Sequence, residues 1–402
     1  MRRVVPAAAA LWIGIGASAA AAPPPPPPGL AGLPARALVL IARGSGKILF
    51  AKHANHELPI ASTTKLMTAL VTVEREQLGQ TLVEQPYVAG VGESLAGVPA
   101  GGRLPLADML RAMLLPSGNN VAYSLAVDVG GSVARFVSMM NHLAVLLNLG
   151  RTHFTTPIGL DTPGGNYSTA TDLAQLARVV LRDPLVAKIV DEPSARLADG
   201  VVVRNLNDLV GAYRWVVGVK PGSTQDAGQC LVAAASLNGV RLISVVLGAP
   251  SEVARDADTL ALLRYGLSLF RSVPVAVAGR VYASVPVTGR SRPARLVARR
   301  SLRVVLARSV RLHVSRDGVP ARLVGPLRAG TVEGVIRVHE NGRVVKTVAL
   351  VTAAAVQAPR PVVQQGAVGW IAAGGGGLTV LVLGCSLPLM RRRAMRSAPG
   401  AL

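Results

Sequence analysis

The sequence predicts an α/β domain built on an antiparallel sheet with helices on both faces, followed by a small all-β domain and an apolar C-terminal helix. Three observations predict it. Apolar strand pairs stand at both ends of residues 36–270, with amphipathic helices between and after them. Valines alternate with arginines and turns from Val273 to Val351, and the chain then carries an uncharged run from Ala367 to Met390. A chain of 402 residues has room for two or three domains and an ample core.

Residues 37–42 and 48–51, around Gly44-Ser45-Gly46, read as a hairpin of two apolar strands. Residues 62–74 form a helix with Ser62 in its first turn, because Leu66, Met67, Leu70 and Val73 recur at helical spacing. Residues 106–114, 120–129 and 133–147 are further helices; 171–181, opened by Ser168-Thr169 and followed by Pro184, is another. Residues 231–237 and 240–247 pair about an Asn238-Gly239 turn, and 256–269 close this part as a helix. The period-two pattern of Leu302-Arg303-Val304-Val305-Leu306 and Val335-Ile336-Arg337-Val338 marks residues 271–352 as a β-rich domain. It holds no catalytic motif.

The start reads as a secretory signal over 1–22: Arg2-Arg3, an apolar stretch from Val4 to Ala17, then small residues. Residues 23–35 follow as a proline-rich linker, stiffened by Pro23 to Pro28. After a linker over 353–366, the 24 uncharged residues of 367–390 span roughly 36 Å as a helix, enough for a transmembrane segment. Trp370 lies near its outer boundary, and Arg391-Arg392-Arg393 puts the tail 391–402 in the cytoplasm and the rest outside. Gly374 to Gly377 and Pro388 allow a tilt or kink in the span. Of the two cysteines, Cys385 lies in this span and Cys230 in a strand, so they form no disulfide framework.

The net charge of +22 is unevenly placed. Residues 36–270 hold 20 basic and 18 acidic residues, a net +2; residues 271–350 hold 16 and 3, a net +13. Few aromatics are present to stack on bases, which argues against nucleic acid. Anionic wall polymers or lipid headgroups suit the basic segment, as does an arginine-rich surface set by genome composition, since 37 of the 43 basic residues are Arg.

Three short motifs carry the chemistry: Ser62-Thr63-Thr64-Lys65, Ser117-Gly118-Asn119 and Lys220-Pro221-Gly222. A spacing of three on a helix puts Ser62 and Lys65 on one face, so the amine can take the hydroxyl proton. That requires a neutral Lys65, and therefore burial or a nearby cation such as Lys220. Lys220 would also favour an anionic substrate end. Ser117 can relay a proton, and Asn119 can hold a substrate amide and the lysine. Acyl transfer needs these groups, in this order, and neither a cofactor nor a metal enters.

With their flanks, Pro59-Ile60-Ala61-Ser62-Thr63-Thr64-Lys65-Leu66-Met67, Met113-Leu114-Leu115-Pro116-Ser117-Gly118-Asn119-Asn120, Tyr167-Ser168-Thr169-Ala170-Thr171-Asp172 and Val219-Lys220-Pro221-Gly222-Ser223-Thr224, the motifs resemble the low-molecular-mass penicillin-binding proteins, the serine-type D-alanyl-D-alanine carboxypeptidases. The resemblance runs from about Arg36 to Phe270. It implies the penicillin-binding, β-lactamase-like transpeptidase fold with a helical subdomain, and usually a β-rich domain behind it. It implies Ser62, Lys65 and Ser117 as catalytic residues, with Asn119, Lys220, Gly222, Ser223, Thr224 and Arg255 binding substrate. Backbone N–H groups of Ser62 and Ser223 would form the oxyanion hole. The substrates implied are peptidoglycan stem peptides, with β-lactam antibiotics as covalent ligands.

Two positions depart from the pattern. Pro221 replaces the usual threonine, removing a hydroxyl and a backbone donor that face the substrate; Tyr167 stands where some members have histidine. Arg255 could equally form a surface salt bridge with Glu252 or Asp258. A class A β-lactamase would need a deacylating glutamate between the second and third motifs, and the only one there, Glu192, lacks an asparagine four residues on. The leading expectation is therefore a membrane-anchored D,D-carboxypeptidase. The alternative is a wall-binding scaffold that keeps the fold with little turnover.

Overall fold

The computed structural model describes residues 27–76, 79–162 and 164–359. The expected signal segment, the uncharged run 367–390, the arginine-rich tail and Cys385 lie outside them. No helix among the described residues is long and apolar enough to cross a membrane.

The first part is a five-stranded antiparallel sheet. Its strands are β1 (Ala37–Ala42), β2 (Ile48–Lys52), β3 (Val216–Thr224), β4 (Gly228–Leu237) and β5 (Val240–Ala249), in the order β2-β1-β5-β4-β3. The order places the first hairpin beside the last strand, with β3 at an edge. Strands of continuous apolar sequence must bury both faces. Here Ala37, Val39 and Ile41 enter one core with Val232, Ala234, Ile243, Val245 and Leu247. Leu38 and Leu40 enter the other with Leu231, Ala233, Leu242 and Val246. Each fully buried Leu or Val contributes roughly 1.5–3 kcal/mol.

The larger core is roofed by α1 (Lys65–Arg75), α2 (Leu106–Leu114), α3 (Asn119–Gly130), α4 (Val133–Leu146) and α5 (Ala170–Val180). The second face is covered by α6 (Glu252–Ser268), opened by a Ser251 cap that accepts the Ala254 N–H. Ser132 and Thr169 cap α4 and α5 in the same way. The antiparallel sheet, its flanking helices and the helical part between β2 and β3 match the expected α/β architecture. The short helix Pro184–Ile189 and the hairpin Ser194–Arg196 with Val202–Arg204 leave no mark in the sequence pattern. Both are too short for periodicity to register.

Two boundaries move. Residues 23–35 were expected as a linker, yet Leu30 and Ala35 are buried in the second core, and the Ala35 N–H donates to Asp258 Oδ2 at 3.1 Å. Residues 353–366 were also expected as a linker, yet Val356 is buried in the β-rich core and pairs with Leu327. In both segments a few apolar side chains find a surface to cover, which composition does not reveal.

The second part is all-β. Strands β6 (Phe270–Ala276) and β9 (Leu302–Ala307) pair, and β7 (Val281–Val285), β8 (Ala294–Ala298), β10 (Leu312–Asp317), β11 (Val332–Glu340) and β12 (Arg343–Thr352) form a sheet in the order β7-β8-β12-β11-β10. Val338, Val348, Leu350 and Leu296 fill its core. No linker separates the two parts: α6 ends at Ser268 and β6 begins at Phe270. Arg308 bridges them, its Nε donating to the Ser268 carbonyl at 2.7 Å and its backbone N–H to the Leu269 carbonyl at 2.9 Å.

Candidate active site

Ser62 lies in a 3-10 turn, Ala61–Thr64, that feeds directly into α1. The expected helix therefore starts in a tighter form, but Lys65 still stacks back toward the serine. Lys65 is fully buried. Its Nζ lies 2.9 Å from Ser62 Oγ, 2.7 Å from Asn119 Oδ1 and 3.0 Å from the Ile158 carbonyl oxygen. Both carbonyls can only accept, so a neutral amine spends its two hydrogens on them and turns its lone pair to the Ser62 hydroxyl. Burial first, then the Lys220 charge, lowers the Lys65 amine well below its usual range, while Glu93 opposes them.

The Ile158 carbonyl arrives because Gly159 (φ +94°) passes against the turn: a Cβ there would fall 2.1 Å from the Ala61 carbonyl oxygen. Ala61 (φ +46°) and Ser117 (φ +64°), each next to a key side chain, hold left-handed backbone that non-glycine residues rarely adopt. The Ser117 hydroxyl is buried and has no hydrogen-bond partner among the described residues.

Lys220 and Ser223 come from the edge strand β3. Gly222 brings that strand onto the turn, since a Cβ there would fall 2.8 Å from the Ser62 backbone nitrogen. Proline is tolerated on an edge strand where the N–H side needs no ladder partner. Ser223 has the same parity as Pro221, so its N–H faces the same open side. Lys220 Nζ is fully buried without a hydrogen-bond partner among the described residues. Burial and then the Arg255 charge lower its pKa to about 7.

A 240 Å³ cavity collects Ser62, Ser117, Pro221, Gly222, Ser223 and Arg255, together with Ser94, Leu206, Asp208 and Glu252. Larger cavities lie in the β-rich part, one of 880 Å³ beside Arg290, Arg292 and Arg295, but they contain no nucleophile–base pair. Chemistry rather than size identifies the site.

Arg255 lines this cavity at the start of α6 and is 2 % exposed. It does bridge Glu252, at 3.2 Å, but its other partner is Asp256 at 2.9 Å; Asp258 instead holds the Ala35 N–H. The surface bridge to Asp258 is thus corrected, because that residue points to the opposite packing contact. Thr224 does not line the cavity; its Oγ1 accepts the Ala227 N–H at 3.2 Å and closes the turn after β3. Tyr167 packs its ring on His153, also away from the cavity. Glu192 forms a bidentate pair with Arg111 at 2.8 and 3.0 Å and is committed to that structural role. Cys230 is buried, and burial raises its thiol to about 11, as befits an inert core residue.

Sequence reasoning missed Glu93 and Tyr87. Glu93 Oε2 accepts from Asn119 Nδ2 at 2.8 Å and from the Tyr87 hydroxyl, and its Oε1 accepts the Gly90 N–H at 2.8 Å. Burial pushes this carboxyl up, but those hydrogen bonds and the Lys65 charge outweigh it and hold it below the usual carboxylate range. No motif marks a lone glutamate in a glycine-rich loop; only the contact with Asn119 reveals it.

Known proteins resemble this chain in sequence and in fold. The sequence profile of the family described as D-alanyl-D-alanine carboxypeptidase, peptidase S11, matches residues 20–251. The chain is 30% identical over 333 residues to D-alanyl-D-alanine carboxypeptidase DacA of Escherichia coli, covering 79% of this chain and 82% of that protein. It is 28% identical over 322 residues to DacF of Bacillus subtilis, covering 77% and 82%. Penicillin binding protein 6B of Escherichia coli superposes with a TM-score of 0.59 at 29% identity, over 82% of this chain and 97% of that one. The Streptomyces K15 DD-transpeptidase gives 0.55 at 31% identity, over 59% and 98%. With a buried Ser–Lys pair, a serine–glycine–asparagine corner and a lysine-bearing edge strand meeting over one cavity, the chain belongs to the D-alanyl-D-alanine carboxypeptidases of peptidase family S11.

Proposed function

We propose that this carboxypeptidase acts through an ester on Ser62 and releases the terminal D-alanine of peptidoglycan stem peptides. The observation that carries the reading is the Lys65 amine, which sits 2.9 Å from Ser62 Oγ with both hydrogens engaged by carbonyl oxygens. Ser62 Oγ attacks the carbonyl carbon of the penultimate D-alanine, and its proton passes to Lys65 Nζ. The Ser62 and Ser223 N–H groups stabilise the oxyanion. The C–N bond then breaks, the departing amine takes a proton relayed through Ser117, and D-alanine leaves. Water attacks the ester, its proton returns through the same amine, and the shortened peptide leaves as a carboxylate.

Lys220 and Arg255 supply the positive charge for the terminal carboxylate, and Asn119 the amide contact. Penicillins enter by the same attack and stall as the acyl-enzyme. The intact Ser62–Lys65–Asn119 geometry supports turnover over a purely scaffolding role. The N-terminal signal and the uncharged run 367–390 support an extracytoplasmic enzyme held at the cell membrane, with the basic β-rich part facing anionic wall polymers or headgroups. Two assays on the full chain test this. D-alanine should be released from an acyl-D-Ala-D-Ala peptide, and a fluorescent penicillin should label the wild type and not Ser62→Ala. Equal labelling of both would remove Ser62 as the nucleophile.

A further inference from the structure

The reaction needs the Lys65 lone pair to point at Ser62, and that direction depends on which end of the Asn119 amide faces the lysine. If the amide were turned over, its NH₂ would face Nζ. The lysine would then lose an acceptor, and its lone pair could be drawn away from the serine. Asn119 itself cannot decide the matter, because its two ends are nearly the same shape. The group that can decide is on its far side.

We propose that Glu93 is a positioning residue of the acylation step: its carboxylate fixes the Asn119 amide with the carbonyl toward Lys65, and so aims the lysine lone pair at Ser62. A carboxylate only accepts, so the Asn119 end at 2.8 Å from Glu93 Oε2 must be the NH₂. Asn119 Oδ1 is then left to accept from Lys65 at 2.7 Å. Glu93 is itself held at both oxygens, by the Tyr87 hydroxyl on one and the Gly90 N–H on the other. The loop is pinned to α3 beside it, because Asn119 N donates to the Ser94 carbonyl at 2.8 Å and Ala96 N to Asn120 Oδ1 at 3.1 Å. Tyr87, Glu93, Asn119, Lys65 and Ser62 thus form a single hydrogen-bonded line ending on the nucleophile.

Glu93 has a second effect through its charge. The charged groups acting on Lys65 among the described residues are Lys220 from β3 and Glu93 from the loop; Asn119 and Ile158 face it as neutral acceptors, and Ser62 as the proton donor. Glu93 favours the protonated amine and Lys220 the neutral one. Acylation needs the neutral amine, so its rate falls as pH drops through the Lys65 pKa. Removing the Glu93 charge lowers that pKa further and carries the acid limb of the profile to lower pH.

The proposal rests on Ser62 and Lys65 being nucleophile and base, and the test separates the two. Second-order acylation by a fluorescent penicillin is followed against pH for the full-length wild type, Glu93→Gln, Asn119→Ala and the double variant. Glutamine keeps the size of Glu93 but can present either end of its amide, so the choice imposed on Asn119 is lost. We expect the Glu93→Gln plateau to fall about tenfold and the limb to move down by about 0.5 to 1 in pH. The limb midpoint does not depend on how much enzyme is folded. In the Asn119→Ala background the same change should alter the plateau less than about twofold, because the two residues act in series. A Glu93→Gln enzyme with wild-type plateau and midpoint overturns the proposal, and so does an undiminished plateau loss in the Asn119→Ala background. A wild type that fails to label at Ser62 would instead overturn the underlying reaction.

Discussion

Lys65 and Lys220 are both fully buried beside the same cavity, yet their surroundings differ. Lys65 has three polar neighbours within 3.0 Å, and Asn119 next to it has a partner at each end of its amide. Lys220 Nζ and the Ser117 hydroxyl have no hydrogen-bond partner among the described residues. An unpaired buried polar group costs roughly 1–3 kcal/mol, and more when charged. The nucleophile–base half is therefore complete before substrate arrives, whereas the recognition half, with Lys220 and the Ser117 relay, is completed by the substrate.

If that division holds, damage to the two halves should differ in kind as well as size. The largest effect belongs to Lys65→Ala, which removes the base: acylation by penicillin should slow by roughly 10²–10⁴-fold, measured as the rate of label incorporation at saturating antibiotic. A loss confined to affinity, with an unchanged limiting rate, would place Lys65 on the recognition side.

Next comes the strand. Pro221 leaves the recognition side without a hydroxyl, and one hydrogen bond to a charged group is worth about 1.5–3 kcal/mol, or about ten- to a hundredfold. Pro221→Thr should raise kcat/KM for an acyl-D-Ala-D-Ala peptide by that factor. It should raise acylation by a β-lactam lacking an equivalent carboxylate contact much less. Steady-state D-alanine release from both variants decides, and a wild type as fast as its threonine variant would show the proline to be neutral.

The smallest effect is in pH. With a pKa of about 7, Lys220 carries its charge below neutrality and sheds it above. Recognition of a free carboxylate should weaken as pH rises from 6 to 8. The preference for the free acid over the same peptide with an amidated C-terminus should therefore drop by up to about tenfold. Taking the ratio cancels changes in Lys65, which affect both substrates alike. A pH-independent ratio would assign carboxylate binding to Arg255 alone.

The same contrast explains what the sequence disclosed. Ser62 and Lys65 were legible because three residues along one helical face bring them together, and the strand pairs because continuous apolar runs must bury both faces. Arg255 lines the cavity, but of its two acidic partners only Glu252 was legible, since helical spacing favours Asp258 at i+3 over the adjacent Asp256. Glu93 escaped altogether: it lies 26 residues before Asn119, in a loop without periodicity, and meets it only after folding. Ile158 contributes a carbonyl, a group every residue has, so nothing in its side chain could announce it.

The arginine at the seam has a consequence for how this chain can be divided. Arg308 belongs to the second part by position, yet its side chain and backbone meet the last carbonyls of α6, which belongs to the first. Here a cut after Phe270 leaves a helix end stripped of the groups that terminate it. The two parts are better regarded as joint owners of that terminus than as beads on a string.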